Sequence, residues 1–303
     1  MTALKTTDLV LPREIITEIN QKVQEKSVVG ALVASDMQTF EDRSYMVFTQ
    51  EPEAEYVGEG GAKSSATVDF DPIQATGHKL QVTVRVSDEV RWADEDGQLQ
   101  VLGLITAAFG NAMARGIDAG ILHKTNPLDK SIVTAFAGSA IVPNATVVDA
   151  TTDAQKDLDG LADAIIENYD VNGIALDRVY ANTLRKLRNS DGQKLYPELG
   201  MNLDISSLDG IRAVVSGAVA NRRYATTATG VKAIIGNWDL IKYGIVRNIS
   251  VTPIEYGDPD GLGDLKRYNQ IAYRAETYFS YANFDPSGGF AVLKEKLTDT
   301  TGK

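Results

Sequence analysis

Lys63 sits in the stretch GGAKSS (60–65), where glycines, hydroxyls and an amine could cradle a phosphate. A phosphate loop of the G-x-x-x-x-G-K-[ST] type needs glycine directly before the lysine and again five residues earlier in that loop, so that backbone N–H groups can close around the anion. Those two positions hold Ala62 and Val57. An alternating, strand-like run follows where a helix would be required. GGAKSS is therefore read as a flexible loop, and a nucleotide-dependent enzyme is the reading it argues against. ADEDGQ (93–98) and GDPDGLGD (257–264) resemble calcium loops, but such a loop needs acids at positions 1, 3 and 5 and a closing Glu at 12. Trp92 takes position 1 of the first, and Asp258, Asp260 and Asp264 lack the closing Glu in the second. The two histidines are His78, expected at a strand start, and His123, expected at a helix end where a cation would complement the dipole. Neither G-x-S-x-G nor H-E-x-x-H occurs. The basic residues Arg185, Lys186, Arg188 and Lys194 read as a solvated helix face, and Arg222 with Arg223 as loop residues. No catalytic group, cofactor or metal is expected.

The bulk numbers narrow the classes further. With 303 residues the chain can build one large or two ordinary domains. It has no cysteine, which excludes disulfides, thiolate metal sites and cysteine catalysis. A formal net charge of −11 disfavours non-specific coating of DNA, which needs clustered cations. No apolar run approaches the ~20 residues of a membrane span, and the N-terminus lacks the apolar core of a secretory signal.

The elements that position these residues can be read from periodicity. PREIITEINQKVQE (12–25) predicts a helix with Pro12 at its first position and an Ile15, Ile16, Ile19, Val23 stripe. SVVGALVASDM (27–37) is small, apolar and expected to be buried. RSYMVFTQ (43–50) predicts a strand, and HKLQVTVRVSDE (78–89) alternates strictly, with Leu80, Val82, Val84 and Val86 on one face. The segment between, 43–78, reads as a long hairpin with few residues to anchor its tip. Asp94, Glu95 and Asp96 precede a long helix over 97–123, whose glycines let other backbone approach closely. A second amphipathic helix is predicted over 151–170, with Leu158, Leu161, Ala162, Ile165 and Ile166 on its face. NGIALDRVYAN reads as a strand followed by a short helix, TLRKLRNSDGQKLY, that turns at Ser190–Gly192. Strands are predicted at 210–217, 231–237, 243–256 and 290–296, with short strands and turns over 128–150. The mixture without a repeat implies α+β rather than a doubly wound sheet. A docking N-terminal arm, an extended hairpin and no active site point to an assembly protein.

At this level the order of features resembles the tailed-bacteriophage major capsid proteins of the Hong Kong 97 type. The likeness rests on AEYVGEG (54–60) with a Ser/Thr-rich stretch ending at Asp69-Phe70, on KLQVTVRVSDEV (79–90), on the helix ending ARGIDAGILH (114–123), and on YRAETYFSYANFDP (273–286). The resemblance implies an N-terminal arm over 1–42, an extended loop over 43–78, a peripheral domain over 79–144 and 248–303, and an axial domain over 145–247. It implies hexamers and pentamers that close into an icosahedral head around double-stranded DNA, held without sequence-specific binding. Glu59, Lys63, Val68 and Phe70 are then candidates for a subunit interface. Some members of the family crosslink a loop lysine to a neighbour's asparagine with help from a glutamate. Asn269 and Glu276 match those last two positions, but Gly60 stands where the lysine should be, and Lys63 lies three residues on. The expectation is a shell without such bonds. Scaffolding is expected from a separate protein, because Met1 begins almost at the arm, and a portal and a decoration protein are further partners the resemblance implies. The locations implied are the virion and, during assembly, the host cytoplasm. A cellular nanocompartment shell of the same fold is the alternative.

Overall fold

The computed structural model describes residues 27–35, 43–50, 52–65, 69–89, 91 and 101–296. The helix expected over 12–25, the acids at 94–96, the loop 93–98 and Val68 lie outside the described residues.

Strict alternation produces the first sheet. β1 (Arg43–Gln50), β2 (Asp69–Ser87), β8 (Ile241–Ile254) and β9 (Gln270–Asn283) form four antiparallel strands in the order β1-β2-β9-β8. Leu80, Val82, Val84 and Val86 of β2 pack against the core, as period two predicts. The expected strand at 78–89 is the rear part of this 19-residue strand. His78 is therefore a mid-strand residue, its ring stacked 4.1 Å from that of Phe136.

The long helix, Val101–His123, lies against β2. Helix α1 (Val28–Leu32) precedes it in the chain, so the long helix is α2. A Cβ on Gly116 would stand 2.7 Å from a Leu80 methyl, so the glycine makes room for a side chain rather than for backbone. Phe109, Met113, Ile117 and Ile121 are buried, which is the stripe their spacing predicts. His123 is also buried, and its Nε2 is 3.0 Å from the carbonyl oxygens of both Ala218 and Val219, which makes it the N–H donor to both. Desolvation pulls its pKa down to about 4. The imidazole is neutral at pH 7, so the expected cation at the helix end is not there.

A six-stranded mixed sheet carries the remaining core. Its strands are β3 (Thr146–Asp149), β4 (Gly173–Leu176), β5 (Ser207–Leu208), β6 (Ile211–Val215), β7 (Val231–Gly236) and β10 (Phe290–Lys294), in the order β3-β10-β7-β4-β6-β5. Successive side chains of its central strands enter opposite cores. Phe290 and Val292 join α1 and α2, whereas Ala291 and Leu293 face Leu161, Tyr180 and Leu184. The last strand thus lies among segments of 145–247, and not in the four-stranded sheet with the rest of 248–303. Its partners, β3 and β7, are non-local, and no local pattern announces them.

Local chemistry sets the helices on this sheet. After the short α3 (Ile141–Asn144), α4 (Ala154–Asp163) starts where Asp153 accepts from the N–H groups of Gln155 and Lys156. It stops earlier than the apolar pattern predicts, so Ile165 is buried and Ile166 is 67% exposed. The predicted strand at 172–182 ends at Leu176. Asp177 caps Val179 N–H at 2.9 Å and begins α5 (Arg178–Lys186) instead. Arg185 and Lys186 lie in its last turn, where Arg185 donates to Asn182, and Arg188, beyond the helix, donates to the Arg185 and Leu187 carbonyls.

Candidate functional site: a projecting hairpin

β2 outruns its neighbour. It pairs with β9 from Ser87 back to Thr76, and residues 69–75 pair with β1 alone. At ~3.4 Å per residue, those seven residues project the ribbon roughly 24 Å beyond the four-stranded sheet. Pro72 fits here because β2 has a single neighbour at that point and one edge needs no donor. Residues 52–65 form the tip, and every one of them is exposed. The tip has its own order. Glu55 accepts from Ser64 N–H at 2.7 Å and from the Ser64 hydroxyl at 2.8 Å, while Gly60 turns the chain at φ +80°. The Ser64 amide, followed by its hydroxyl, holds the Glu55 carboxyl below its usual range. A carboxylate therefore occupies the amide that a phosphate would have needed.

The root of this ribbon packs on the body, where Ala75 is buried and Tyr45 meets Phe284, but its outer part leaves apolar side chains exposed. Met46 is 65% exposed and Phe70 47%, and Tyr56 at the tip is fully exposed. A two-stranded ribbon is marginal in water on its own, and contiguous exposed apolar groups mark contact surfaces. Glu59 and Lys63 sit on the same exposed tip as Tyr56. Tyr56 and Met46 were not singled out from sequence, although a tyrosine inside a Gly/Glu stretch, away from any apolar pattern, was the available signal.

The crosslinking candidates lie elsewhere. Asn269 is exposed, has φ 52° and precedes β9, with its carbonyl accepting from Asp88 N–H. Glu276 lies inside β9 and pairs with Lys79 at 3.2 Å. Asn269 stands by the Ser87 end of β2 and Lys63 beyond the Asp69 end, so β2 alone separates them by roughly 60 Å within one chain. The acids of 257–264 are also committed. Arg85 Nε is 2.8 Å from both Asp260 oxygens and Arg85 Nη2 is 3.0 Å from Asp258. Arg85 holds the Asp260 carboxyl below its usual range, chiefly through the hydrogen bond. Among the described residues no group of three His, Asp or Glu side chains is placed to hold a metal. No described helix is long and apolar enough to cross a membrane.

A chain with a buried two-sheet body and an arm that ends in solvent is the subunit of an assembly. The profile of the phage capsid family matches residues 7–294, and the chain belongs to that family. A solved chain from Mycobacterium phage Ogopogo is 36% identical, with a TM-score of 0.81 over 89% of this chain and 92% of that one. One from Gordonia phage Cozz is 28% identical, with a TM-score of 0.77 over 90% and 87%. The capsid of an empty GTA particle shares the fold at 16% identity, with a TM-score of 0.57 over 97% and 94%. No curated protein matches. The chain is thus a major capsid protein with the Hong Kong 97-type α+β fold, a structural protein that assembles with its own copies into the shell of a phage head.

Proposed function

We propose that the hairpin 43–78 is the arm by which one copy grips a neighbouring copy in the shell. Glu59, Lys63 and Phe70 lie at that boundary, and Val68 is assigned to it from the sequence. The observation that carries this is the unshared ribbon 69–75, with Met46 65% exposed and Tyr56 fully exposed toward a tip that lies in solvent. Copies joined in this way form hexamers and pentamers that close into an icosahedral head around double-stranded DNA. The net charge of −11 suits a container whose contents must move during packaging. The role is structural and not enzymatic. Residues 79–144 with most of 248–303 form the peripheral domain, and 145–247 the axial domain. Assembly takes place in the host cytoplasm with a separate scaffolding protein and a portal, and a decoration protein can bind the finished shell. The shell holds without isopeptide bonds, since Glu276 is engaged by Lys79 and Gly60 offers no amine.

Deleting residues 54–66 tests the arm. The subunit is expected to keep its circular dichroism spectrum and thermal midpoint while particle yield by sedimentation falls at least tenfold. Normal particles from the deleted chain would remove the arm reading.

A further inference from the structure

The buried half of α2 contains one acid, Asp118, among apolar residues. Its side chain lies at the root of the N-terminal segment. One carboxylate oxygen accepts from the Ser27 hydroxyl at 2.5 Å and from Val29 N–H at 3.2 Å, and the other accepts from Val28 N–H at 2.9 Å. Ser27 Oγ in turn accepts from Gly30 N–H at 3.2 Å. The chain order matters here: Asp118 comes about ninety residues after its donors. The first turn of α1 is therefore held to the long helix by one side chain from outside, which satisfies two of the amides that any helix start leaves free.

Among the described residues no cation pairs with this carboxylate. Asp118 lines a cavity of about 280 Å³ with Arg115, Arg222 and Arg223, yet forms an ion pair with none of them. Arg115 donates instead to the Tyr224 hydroxyl at 2.9 Å, Arg222 to Asp177 at 2.6 Å, and Arg223 lies over the Tyr224 ring. Tyr243, from β8, is a further titratable group near it among the described residues, and its phenol is pushed well above its usual range by burial and then by Asp118. It stays neutral.

We propose that Asp118 is a positioning residue for the N-terminal root, a clasp that holds residues 27–29 on α2 and releases them more readily when ionised than when protonated. The physical reason is that docking removes a carboxyl group from water and replaces the water with three donors. Three hydrogen bonds to a charged acceptor are strong, but full desolvation of an unpaired charge costs more. The balance is visible in the pKa, raised from 3.8 to about 6, with desolvation as the largest cause and the Ser27, Val28 and Val29 donors opposing it. With residues 27–33 undocked, the cavity gives water access to Asp118, and the value returns toward 3.8. The docked form then binds the proton more tightly. Docking strengthens as the pH falls through 6, reaches its full strength below 3.8, and is weakest above 6. The interval between those two values corresponds to roughly a hundredfold in the docking equilibrium. His123, with its pKa near 4, is mostly neutral from pH 4.5 upward, and its residual charge near pH 4.5 is shared by wild type and Asp118→Asn.

Amide hydrogen exchange of Val28 and Val29 in the full-length protein, corrected for the intrinsic rate, tests the clasp between pH 4.5 and 7.5. The wild-type chain is expected to show at least tenfold greater protection of both amides at pH 4.5. Asp118→Asn, which keeps the shape but cannot ionise, should show protection that does not vary with pH. Asp118→Ala should lose protection at every pH while Ala272 and Ala275 of β9 remain protected. Wild-type protection independent of pH overturns the proposal, as does unchanged protection of Val28 and Val29 in Asp118→Ala. If the alanine variant does not fold, the comparison of wild type with Asp118→Asn still decides.

Discussion

The two ends of β2 share one strand and one alternating pattern, yet they live in different environments. From Thr76 to Ser87 the strand has β9 on one edge and α2 over its face, and its apolar side chains enter the core. From Asp69 to Ala75 its sole strand partner is β1, and Met46, opposite Pro72, is 65% exposed. The first end is built for folding and the second for association. The difference teaches that period two in sequence states which residues share a face but is silent on what covers that face.

The sharpest break between the two ends should come from the core side. Phe279 of β9 is 3% exposed and lies among the rings of His78, Phe136 and Tyr243. Phe279→Ala should destabilise the subunit by about 3–5 kcal/mol, measured by denaturant unfolding of unassembled protein. A loss below about 1 kcal/mol would mean that this cluster is not what anchors the rear of β2. Gly116→Val comes next. Its new side chain meets Leu80, a flexible end that can partly yield, so the expected loss is about 1–3 kcal/mol.

Tyr56→Ala should reverse that pattern. Nothing in the subunit covers the ring, so its stability should move by less than about 0.5 kcal/mol. Particle yield should fall nonetheless. A stability loss equal to that of Gly116→Val would place the tip inside the fold, and unchanged assembly would confine the contact to Met46 and Phe70.

Much of this architecture was legible from periodicity, and the misses have specific causes. The alternation of Leu80, Val82, Val84 and Val86 revealed the strand, and the Gly/Ser run at 58–65 revealed where it could not be covered. Val179 and Tyr180 favour strands, so the segment after Leu176 read as a longer strand until Asp177 supplied the cap that starts α5. β10 was visible as a strand, but its sheet depends on β3 and β7, which are distant in sequence. Asp118 was written in the sequence as a lone acid in ARGIDAGILH. Its meaning depended on Ser27, about ninety residues away, and no local rule joins them.

The smallest expected effect concerns Lys63. It is exposed on the tip, and β2 separates it from Asn269 of its own chain by roughly 60 Å. A bond between them would have to join two copies. It would also need a base to deprotonate the amine, yet the matching glutamate, Glu276, pairs with Lys79 at 3.2 Å. That pair is partly exposed and contributes at most about 1 kcal/mol to the fold, but it already engages the carboxylate with a cation of its own chain. Lys63→Ala should therefore lower particle yield less than Tyr56→Ala does and leave the denaturing gel unchanged, with monomer as the sole band from wild-type and variant shells alike. A ladder from wild-type particles that vanishes in Lys63→Ala would show that the tip bonds covalently, and the arm would then be a reactive element as well as a contact.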